Sequence, residues 1–407
     1  MELKKYKLGE ICDLNLSSLK ASDSIDDILY LDTSSITEDT ISGLQSFSTI
    51  DAPSRAQRKV KNDTIIFSTV RPNQRHFGIM RNPQKNLIVS SGFTTLDVKN
   101  PKEYDPKFVY FALTQPAIVD YLQTLAHNSV SAYPSINPDD IGNLYLSFPD
   151  FDTQRKIASV LSALDSKIAL NRRINTRLEQ IAKRLYDYWF VQFDFPNADG
   201  KPYKSNGGKM VWNEQLKREI PEGREDGVLQ DIANITMGQS PDGSSYNEIG
   251  EGIVFYQGCT DFGIRFPSVR MFTTSPTRFA KEGDILMSVR APVGAMNVAN
   301  SNCCIGRGLA ALNSKIGSIS HLWYLMDVFK HKFENKNAAG TTFGSITKDE
   351  LYNLPVVIPT IELIAAFNEK TQPIFNYQLT LSKETAALTA LRDRLLPLLM
   401  NGQVEVA

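Results

Sequence analysis

Two apolar segments of the chain end in an arginine that is followed by a proline turn. They are residues 67–76 (FSTVRPNQRH) and residues 287–294 (MSVRAPVG). In the major groove, arginine can bind guanine through two hydrogen bonds, and asparagine or glutamine can bind adenine in the same way. The base-contact candidates in these two loops are Arg71, Asn73, Gln74, Arg75 and Arg290. The open alternative is that an arginine here tethers its loop to a carboxylate of the same chain.

Further candidates are basic or polar residues in segments expected to be exposed. They are Arg55, Arg58, Lys59, Tyr133, Gln239, Ser240, Tyr246, Arg265 and Thr341. The three basic residues from 55 to 59 suit phosphate contacts. The loop that carries Gln239, Ser240 and Tyr246 is rich in glycine and proline, as exposed turns are. Arg307 lies in a strand-like run, where it could face inward, and is a weaker candidate.

The charged residues are sorted along the chain although they almost cancel. The formal net charge of −1 argues against a protein that simply coats DNA, because compact DNA-binding domains often have a pI above about 9. However, residues 55–85 contain eight lysines and arginines and one aspartate, and residues 265–307 contain six against two acidic residues. A single basic run is usually a solvated face. Two runs at corresponding places favour contact with phosphates.

No catalytic motif can be assembled from this sequence. Residues 207–210 (GGKM) end like a phosphate-binding loop, but Tyr203 and Met210 break the pattern. The tetrapeptide of amino-methyltransferases, Asn or Asp followed by two prolines and an aromatic residue, is missing. Asp150, Asp165 and Lys167 match the loose spacing of a Mg²⁺-dependent nuclease, yet such sites place their carboxylates on adjacent strands. Asp165 and Lys167 fall in a helical pattern, which favours coincidence.

Composition and cysteine usage are those of an ordinary globular protein. Hydrophobic residues make up 42% and charged residues 22% of the chain. Its 407 residues are enough for two to three domains. Cys12, Cys259, Cys303 and Cys304 form no C-x-x-C pair, so we expect reduced, buried thiols and no structural metal. Without a long apolar run or an apolar leader, the chain is expected in the cytoplasm.

A long internal repeat sets the organisation of the chain. Residues 135–144 (SINPDDIGNL) match residues 345–354 (SITKDELYNL) at a spacing of 210 residues. Residues 65–72 match 285–292 at a spacing of 220, and residues 91–96 match 307–312 at a spacing of 216. Solenoid repeats have periods of only roughly 20–50 residues. The sequence therefore predicts a duplicated domain, each copy followed by a helix, whose loops were free to diverge.

A long helix is predicted after the first copy of the repeat. Residues 152–195 contain neither glycine nor proline, and Asp152 or Thr153 is expected to cap the start. A helix of about 38 residues is roughly 57 Å long. Steps of three and four residues select a seam formed by Ile157, Leu161, Leu164, Ile168, Asn171, Asn175, Leu178, Ala182, Leu185 and Trp189. This heptad pattern predicts a coiled-coil-like partner helix.

The partner is predicted 210 residues later. A ladder with a spacing of seven is formed by Ile374, Leu381, Leu388 and Leu395. Pro373 suits a first helical turn better than a helix interior, so we expect a break or a late start there. Gly402 is typical of a helix end. Because each helix follows its own globular unit, we expect antiparallel packing with one unit at each end, related by a pseudo-twofold axis.

Several segments together resemble a known family. They are residues 70–76 (VRPNQRH), 188–194 (YWFVQFD), 207–211 (GGKMV), 283–294 (GDILMSVRAPVG) and 305–308 (IGRG). With the half-chain repeat, they resemble the specificity subunit of Type I restriction-modification systems over nearly the whole chain. One departure is that the seam of the first helix holds Asn171 and Asn175, whereas the second helix has Leu381 and Thr385.

The resemblance implies a fold class and an organisation. The expected fold is α+β, with two homologous α+β target-recognition domains separated by two long antiparallel, coiled-coil-like helices with pseudo-twofold symmetry. The expected segments are target-recognition domain 1 at 1–150, a spacer helix at 151–195, a polar linker at 196–209, target-recognition domain 2 at 210–360, and a second spacer helix at 361–407. Helices within the domains are predicted near residues 106–125 and 319–333.

The resemblance also implies the function and the partners. Each recognition domain would read one half of a split, asymmetric site in double-stranded DNA, and this chain would not be catalytic. Two modification (methyltransferase) subunits would bring S-adenosylmethionine, and restriction subunits would bring ATP- and Mg²⁺-dependent cleavage, so no cofactor is expected on this chain. A competing interpretation is a two-headed scaffold that binds protein. A weaker one is a nuclease that uses Asp150, Asp165 and Lys167.

Overall fold

The computed structural model describes residues 2–20, 22–23, 25–128, 133–263, 265–338 and 344–406. By its contacts the chain divides into two compact units. Unit 1 comprises Met1–Leu170 and Thr385–Ala407, and unit 2 comprises Asn171–Glu384. The division cuts both long helices, because each helix contributes one part to each unit. It therefore does not coincide with the sequence-based domain boundaries, which stay a prediction.

Unit 1 is built from short strands and short helices. Its strands are β1 (Lys4–Lys7), β2 (Cys12–Leu14), β3 (Asp27–Leu31), β4 (Ile36–Thr37), β5 (Thr40–Ile41), β6 (Gln45–Ser48), β7 (Ala56–Lys59), β8 (Ile65–Ser68), β9 (Phe77–Ile79), β10 (Leu87–Ser90), β11 (Phe93–Val98) and β12 (Tyr145–Phe148). Its helices are α1 (Leu8–Ile11), α2 (Pro106–Leu113), α3 (Pro116–His127), α4 (Pro138–Gly142) and the first part of α5 (Phe151–Tyr186). The strands form two four-stranded sheets, β6-β3-β10-β7 and β2-β11-β8-β9, and the pairs β1-β12 and β4-β5.

The predicted helix at 106–125 is wrong in one respect, because it is two helices. α2 ends at Leu113, and α3 begins with Pro116 in its first turn. Proline has no N–H to donate and hinders a helical conformation in the residue before it. The two helices still bury their apolar sides in one core, with Phe108 on α2 and Leu122 on α3 both fully buried.

Unit 2 is also built from short strands and helices. Its strands are β13 (Met210–Asn213), β14 (Arg218–Pro221), β15 (Glu225–Val228), β16 (Ala233–Met237), β17 (Tyr246–Asn247), β18 (Ile253–Tyr256), β19 (Phe272–Thr273), β20 (Phe279–Ala280), β21 (Ile285–Ser288), β22 (Met296–Val298), β23 (Cys303–Ile305), β24 (Leu309–Ser314) and β25 (Pro355–Ile358). Its complete helices are α6 (Leu229–Ile232), α7 (Ile319–Ala338) and α8 (Lys348–Tyr352), and it includes most of α9 (Ile361–Met400). The sheets are β17-β19-β18-β23-β20 and β16-β24-β21-β22, with the pairs β13-β14 and β15-β25.

The sheets confirm the repeat that the sequence predicted. The order β2-β11-β8-β9 in unit 1 corresponds to β16-β24-β21-β22 in unit 2. The register agrees as well, since Leu96 pairs with Ile65 as Leu312 pairs with Ile285. Each unit also has one parallel pair, β3 with β10 and β18 with β23. The α+β class is therefore confirmed for both copies.

The first long helix, α5, continues as a single π-helical turn, Asp187–Val191. The predicted caps Asp152 and Thr153 are wrong. The carboxylate of Asp150 accepts hydrogen bonds from the N–H and the hydroxyl of Thr153, at 3.0 and 2.7 Å. An acidic side chain before the first turn satisfies otherwise unpaired N–H groups. The predicted seam is confirmed, because every one of its residues is buried or half-buried.

The two long helices run antiparallel in each unit. In unit 1, Ile157 near the start of α5 shares a core with Leu399 near the end of α9. In unit 2, Asn171 donates to Glu384 at 2.8 Å, and Asn175 donates to Ser382 at 3.2 Å. The two seam asparagines therefore face polar partners, which explains how they are accommodated between helices.

The break expected at Pro373 is wrong, because α9 is continuous from Ile361 to Met400. A proline inside a helix costs about 3 kcal/mol. Phe367 and Phe375, on either side of Pro373, are both buried in the core of unit 2. Each such burial contributes roughly 1.5–3 kcal/mol, so the packing of the apolar stripe outweighs the proline. The helix ends at Met400, and Gly402 follows with a φ of 68°.

The cysteine prediction is confirmed for three residues. Cys12, Cys303 and Cys304 are buried free thiols, and Cys259 is a free thiol that is only half-buried. Within the described ranges, no helix combines the length and apolar content needed to cross a membrane. Nor do three histidine, cysteine or carboxylate side chains there come close enough to hold a metal ion.

Candidate nucleic-acid interface

The loop at residues 69–76 follows β8, and its arginine is exposed. Arg71 is exposed and has a φ of 48°, which is unusual for a side chain other than glycine. Its N–H donates to Pro134 O at 2.9 Å, and its guanidinium lies 5.5 Å from the ring centre of Tyr133. Tyr133 is itself 61% exposed. A cation held over an aromatic face keeps its outer N–H groups free to bind an acceptor.

Three segments of unit 1 meet at this loop through backbone hydrogen bonds. Thr69 N donates to Gly92 O at 2.9 Å, and Ser91 N donates to Arg55 O at 2.7 Å. We call the resulting surface face 1, and it consists of Arg55, Arg71, Ser91 and Tyr133. Within the described part of unit 1, the ion pairs involve Lys59, Lys61, Arg75, Arg81, Lys99 and Arg392. Arg55 and Arg71 take part in none of them, so both remain available to an anion.

Asn73 and Gln74 lie on the same loop and are exposed. The backbone N–H of Asn73 donates to the side-chain oxygen of Gln123 on α3 at 2.9 Å. This bond fixes the turn at residues 72–74 against the helix while leaving the amide side chain of Asn73 outside. The candidates Asn73 and Gln74 are therefore placed where a base edge could reach them, beside Arg71.

Arg75 closes the loop and is tied down. Its guanidinium binds Glu38 at 2.6 Å, and its φ is 56°. The corresponding position in unit 2 is Gly294, since Ser68 N donates to His76 O and Ser288 N donates to Ala295 O. A non-glycine residue in this conformation costs roughly 1–2 kcal/mol. Because its guanidinium is engaged by Glu38, Arg75 fits the alternative of a loop tether better than that of a base contact.

Arg58 and Lys59 lie on β7 and are half-buried. Lys59 pairs with Asp23 at 2.6 Å, and Arg58 donates to the hydroxyl of Ser18 at 3.2 Å. Both cations thus have partners within unit 1, unlike Arg55, which is exposed. Of the three basic residues predicted for phosphate, Arg55 is the best placed.

The loop at residues 289–294 repeats the backbone pattern of the loop at residues 69–76. Val289 N donates to Gly308 O at 3.0 Å, as Thr69 N does to Gly92 O. Arg290 forms an isolated bridge with Ser345, as Val70 does with Ser135. Arg290 therefore corresponds to Val70 and not to Arg71, so the two loops present arginine at adjacent positions. Arg290 is exposed.

Gln239 and Ser240 lie against residues 305–307, whereas Tyr246 contacts its own loop. Gln239 N donates to Ile305 O at 3.0 Å, and the hydroxyl of Ser240 accepts from Arg307 N at 3.2 Å. Gly238 allows this approach, because a Cβ there would overlap the carbonyl oxygen of Gly306. Tyr246 is half-buried and donates its hydroxyl to Pro241 O at 3.0 Å. It supports the loop from beneath.

Sequence reasoning undervalued two arginines of unit 2. Arg307, ranked as a weaker candidate because its strand-like run left an inward orientation open, is exposed. β24 begins only at Leu309, and residues 306–308 form a turn. Arg278 is also exposed, and its carbonyl accepts from Ile305 N at 2.9 Å. Arg278 directly precedes β20, as Arg55 directly precedes β7. The irregular spacing of the repeat hid this correspondence in the sequence. The surface that we call face 2 consists of Gln239, Ser240, Arg278, Arg290 and Arg307.

The arginines of face 2 have no acidic partner in the described residues. Ion pairs of unit 2 involve the cations Lys183, Lys209, Lys217, Arg265, Arg270, His331 and Lys383. Arg278, Arg290 and Arg307 are absent from that set. Clustered guanidiniums without carboxylates form a positive surface that favours a polyanion.

Arg265 lies in the interior, so its prediction as a DNA contact is wrong. Only 5% of the residue is exposed, and its guanidinium forms an ion pair with Glu179 on α5. The same guanidinium lies 4.3 Å from the ring centre of Trp323 and 5.0 Å from that of Phe375. A buried cation needs such partners to offset its desolvation. Arg265 therefore stabilises unit 2 and is withdrawn as a DNA contact. Thr341 lies outside the described residues.

The relationship to known proteins agrees with this arrangement. The family model described as the Type I restriction modification DNA specificity domain matches residues 1–180 and 221–370. The chain belongs to this family.

Individual members of this specificity family are distant in sequence. The chain is 23% identical to the Type I restriction enzyme HindI specificity subunit of Haemophilus influenzae, over 98% of this chain and 99% of that one. It is 24% identical to the Type I restriction enzyme MjaIX specificity subunit of Methanocaldococcus jannaschii, over 84% and 78%. The crystal structure of the Type-I restriction-modification system S subunit from M. genitalium shares the fold, with a TM-score of 0.60, 17% identity, and coverage of 98% and 96%.

The geometry of this chain does not support the alternative interpretation that it is a nuclease. Asp150 caps α5, as described above. Asp165 lies on α5 and binds Arg392 of α9 at 3.1 Å, and burial raises the pKa of its carboxyl. Both carboxylates are thus engaged in holding helices. Lys167 also lies on α5.

Proposed function

We propose that this chain is the DNA sequence-recognition subunit of a Type I restriction-modification complex and that it binds a bipartite, asymmetric site. The observation that carries the proposal is the pair of equivalent surfaces, face 1 and face 2. They share a backbone frame but differ in the side chains that the frame presents. Two domains that bind different half-sites need the same backbone frame with different side chains.

The chemistry of the two faces suits DNA. Arginine supplies charge-assisted hydrogen bonds to phosphate and two hydrogen bonds to guanine. Asn73 and Gln74 lie next to Arg71 of face 1, and their amides suit adenine. Face 2 adds Gln239 and Ser240 beside three arginines. Membership of the specificity family supports DNA as the partner.

The chain is proposed to act through other subunits. Two modification subunits would methylate adenine with S-adenosylmethionine, and restriction subunits would use ATP and Mg²⁺. In this proposal the chain itself holds no cofactor and is not catalytic. Its contribution is to choose the site.

The proposal is tested by methylome sequencing of cells that carry the modification subunits with variants of this chain. Arg71→Ala should relax one half of the methylated motif, and Arg290→Ala should relax the other half. Arg270→Ala, an exposed arginine held by Asp261 at 2.9 Å, is the matched control and should leave the motif unchanged. A motif that is identical in all three variants would contradict the assignment of the faces. Binding of the purified complex to DNA should also weaken steeply with salt, which a protein-binding scaffold would not show.

A further inference from the structure

The parallel strand pair of unit 2 ends in an exposed glutamine that is absent from the sequence-based candidates. β18 and β23 run parallel, with Tyr256 beside Ile305, so both strands end at the same edge of the sheet. Gln257 follows β18 directly and is exposed. The turn that follows β23 carries Arg307 of face 2. The register therefore brings Gln257 to face 2.

Gln257 is bound to face 2 through its backbone and its side chain. Its carbonyl oxygen accepts from Gly308 N at 3.2 Å. Its side-chain Nε2 donates to the hydroxyl of Ser240 at 2.9 Å, and the same hydroxyl accepts from Arg307 N at 3.2 Å. The side chain of Gln257 is thus held next to two members of face 2.

Part of the side-chain amide of Gln257 remains available to a ligand. A primary amide has two N–H donors and one carbonyl oxygen that accepts. Ser240 takes one of the two donors, and no residue in the described ranges donates a hydrogen bond to Oε1 of Gln257. One acceptor beside one donor is the pair with which glutamine binds N6 and N7 of adenine in the major groove.

The fold does not need an amide at this place. In unit 1 the residue that follows the corresponding strand, β3, is Asp32, and β3 likewise pairs in parallel, with β10. Asp32 is half-buried, and its carboxylate accepts from the hydroxyl of Ser34 at 2.8 Å, within the short 3₁₀ helix Thr33–Ser35 that it caps. The short helix of unit 2, Cys259–Asp261, begins without a side-chain cap. Asp32 therefore serves its own segment, whereas Gln257 contacts face 2.

A glycine in the turn after β23 makes room for Gln257. A Cβ on Gly306 would lie 2.9 Å from the Cα of Gln257, whereas carbon atoms in contact lie about 3.5–4.0 Å apart. Gly306 stands two residues before Gly308, as Ser90 stands two residues before Gly92 in unit 1. Because Ser90 has a side chain, this close approach is specific to unit 2.

We propose that Gln257 is a specificity-determining residue of face 2 and binds adenine in the half-site of unit 2. The proposal rests on the proposed function, because it takes face 2 as a surface that contacts DNA. The bond to Ser240 holds the amide in one orientation, so less side-chain entropy is lost on binding. A carboxylate cannot donate a hydrogen bond, so Asp32 gives unit 1 no equivalent contact with adenine.

Methylome sequencing of cells that carry the modification subunits with variants of the full chain tests the proposal. Gln257→Met removes the donor and the acceptor from a side chain of similar length, so one A·T pair of the half-site should become degenerate. Gln257→Glu keeps an acceptor, and it should favour cytosine at the same pair through the N4 amino group. The hydroxyl of Ser240 can donate to this glutamate, which preserves the contact within face 2.

A control variant separates base recognition from added negative charge. Gln230→Glu places the same charge on an exposed glutamine of α6. α6 precedes β16, whereas Gln239 of face 2 follows it, so Gln230 lies at the other end of this strand. The methylated motif should be unchanged in Gln230→Glu.

Binding of the purified complex to duplexes measures the size of the effect. Replacement of the A·T pair by G·C should weaken binding of the wild type by roughly 5–150-fold, and binding of Gln257→Met by less than about twofold. Affinity for the duplex changed at the other half-site should fall equally in both proteins, which shows that the variant is folded.

Arg290→Ala distinguishes failure of this proposal from failure of the proposed function. If Arg290→Ala relaxes its half-site and both Gln257 variants keep the wild-type motif, face 2 contacts DNA and the role of Gln257 is overturned. If none of the three variants changes the motif, both proposals are overturned. Relaxation at a G·C pair overturns the assignment to adenine. A variant without methylation is decided by the duplexes, where a preference for A·T equal to that of the wild type overturns the role of Gln257.

Discussion

Replacement of Arg265 by methionine should destabilise unit 2 without removing a DNA contact. Arg265 is the buried partner of Glu179, which also accepts hydrogen bonds from Trp323 Nε1 at 3.2 Å and from Gln378 at 3.0 Å. Loss of one partner of a buried ion pair typically costs about 3–5 kcal/mol. The side chain of Glu179 is 34% exposed, and water would partly solvate the orphaned carboxylate. We therefore expect a cost of about 3 kcal/mol, including the lost contacts with Trp323 and Phe375.

Differential scanning calorimetry of the full chain measures this cost. For a unit of about 200 residues, 1 kcal/mol lowers Tm by roughly 2–4 °C, so the transition of unit 2 should fall by about 6–12 °C. The control Arg270→Met removes an exposed arginine that pairs with Asp261 and Glu248. It should cost less than about 1 kcal/mol.

A second substitution separates the charge effect from the loss of packing. Glu179→Gln in the Arg265→Met background removes the orphaned carboxylate, while the amide can still accept from Trp323. Tm should recover by half or more of the loss. If the free energy of unfolding of Arg265→Met instead stays within about 1 kcal/mol of the wild-type value and DNA binding weakens, Arg265 contacts DNA and its assignment to the interior is wrong.

The remaining predictions concern the two faces and His321. Arg71→Ala should cost about 1–3 kcal/mol on the cognate site and relax one position of it, whereas Arg55→Ala should weaken binding to all sequences alike and lower the salt slope by about 1. Equal affinity of wild type and Arg71→Ala for cognate and scrambled duplexes would refute the loop assignment. In the methylated motif, Arg307→Ala should relax only the half-site that Arg290→Ala relaxes. An effect on the other half-site would show that Arg307 does not act with face 2. Burial lowers the pKa of His321 to about 3 in the folded state, so on acidification the unfolded chain takes up this proton first. Between about pH 6.5 and pH 3 the free energy of unfolding should therefore fall by about 1.4 kcal/mol per pH unit. Urea titrations should show a smaller acid loss in His321→Phe, and an equal pH dependence in the two proteins would show that another group titrates.

Much of the fold was readable in the sequence because it depends on local patterns that occur twice. The heptad seam of α5 predicted a long helix with an antiparallel partner, and the repeat at 65–72 and 285–292 marked β8 and β21, which occupy equivalent places in their sheets. Errors occurred where tertiary packing outweighed local preference. Pro373 is tolerated inside α9 because the apolar residues around it are buried, and α2 and α3 separate at Pro116, which the apolar periodicity alone did not show.

The sequence by itself determined the duplication, the long helices and the positions of the two arginine–proline loops. Each of these is written in the spacing of residues close together in the chain or in the comparison of one copy with the other. Only the tertiary structure decided which arginines are available. Arg265 pairs with Glu179 across 86 residues of sequence, whereas Arg307 is exposed beside Ser240, 67 residues away. Burial and long-range pairing depend on how distant segments meet, and a basic run in one segment does not contain that information.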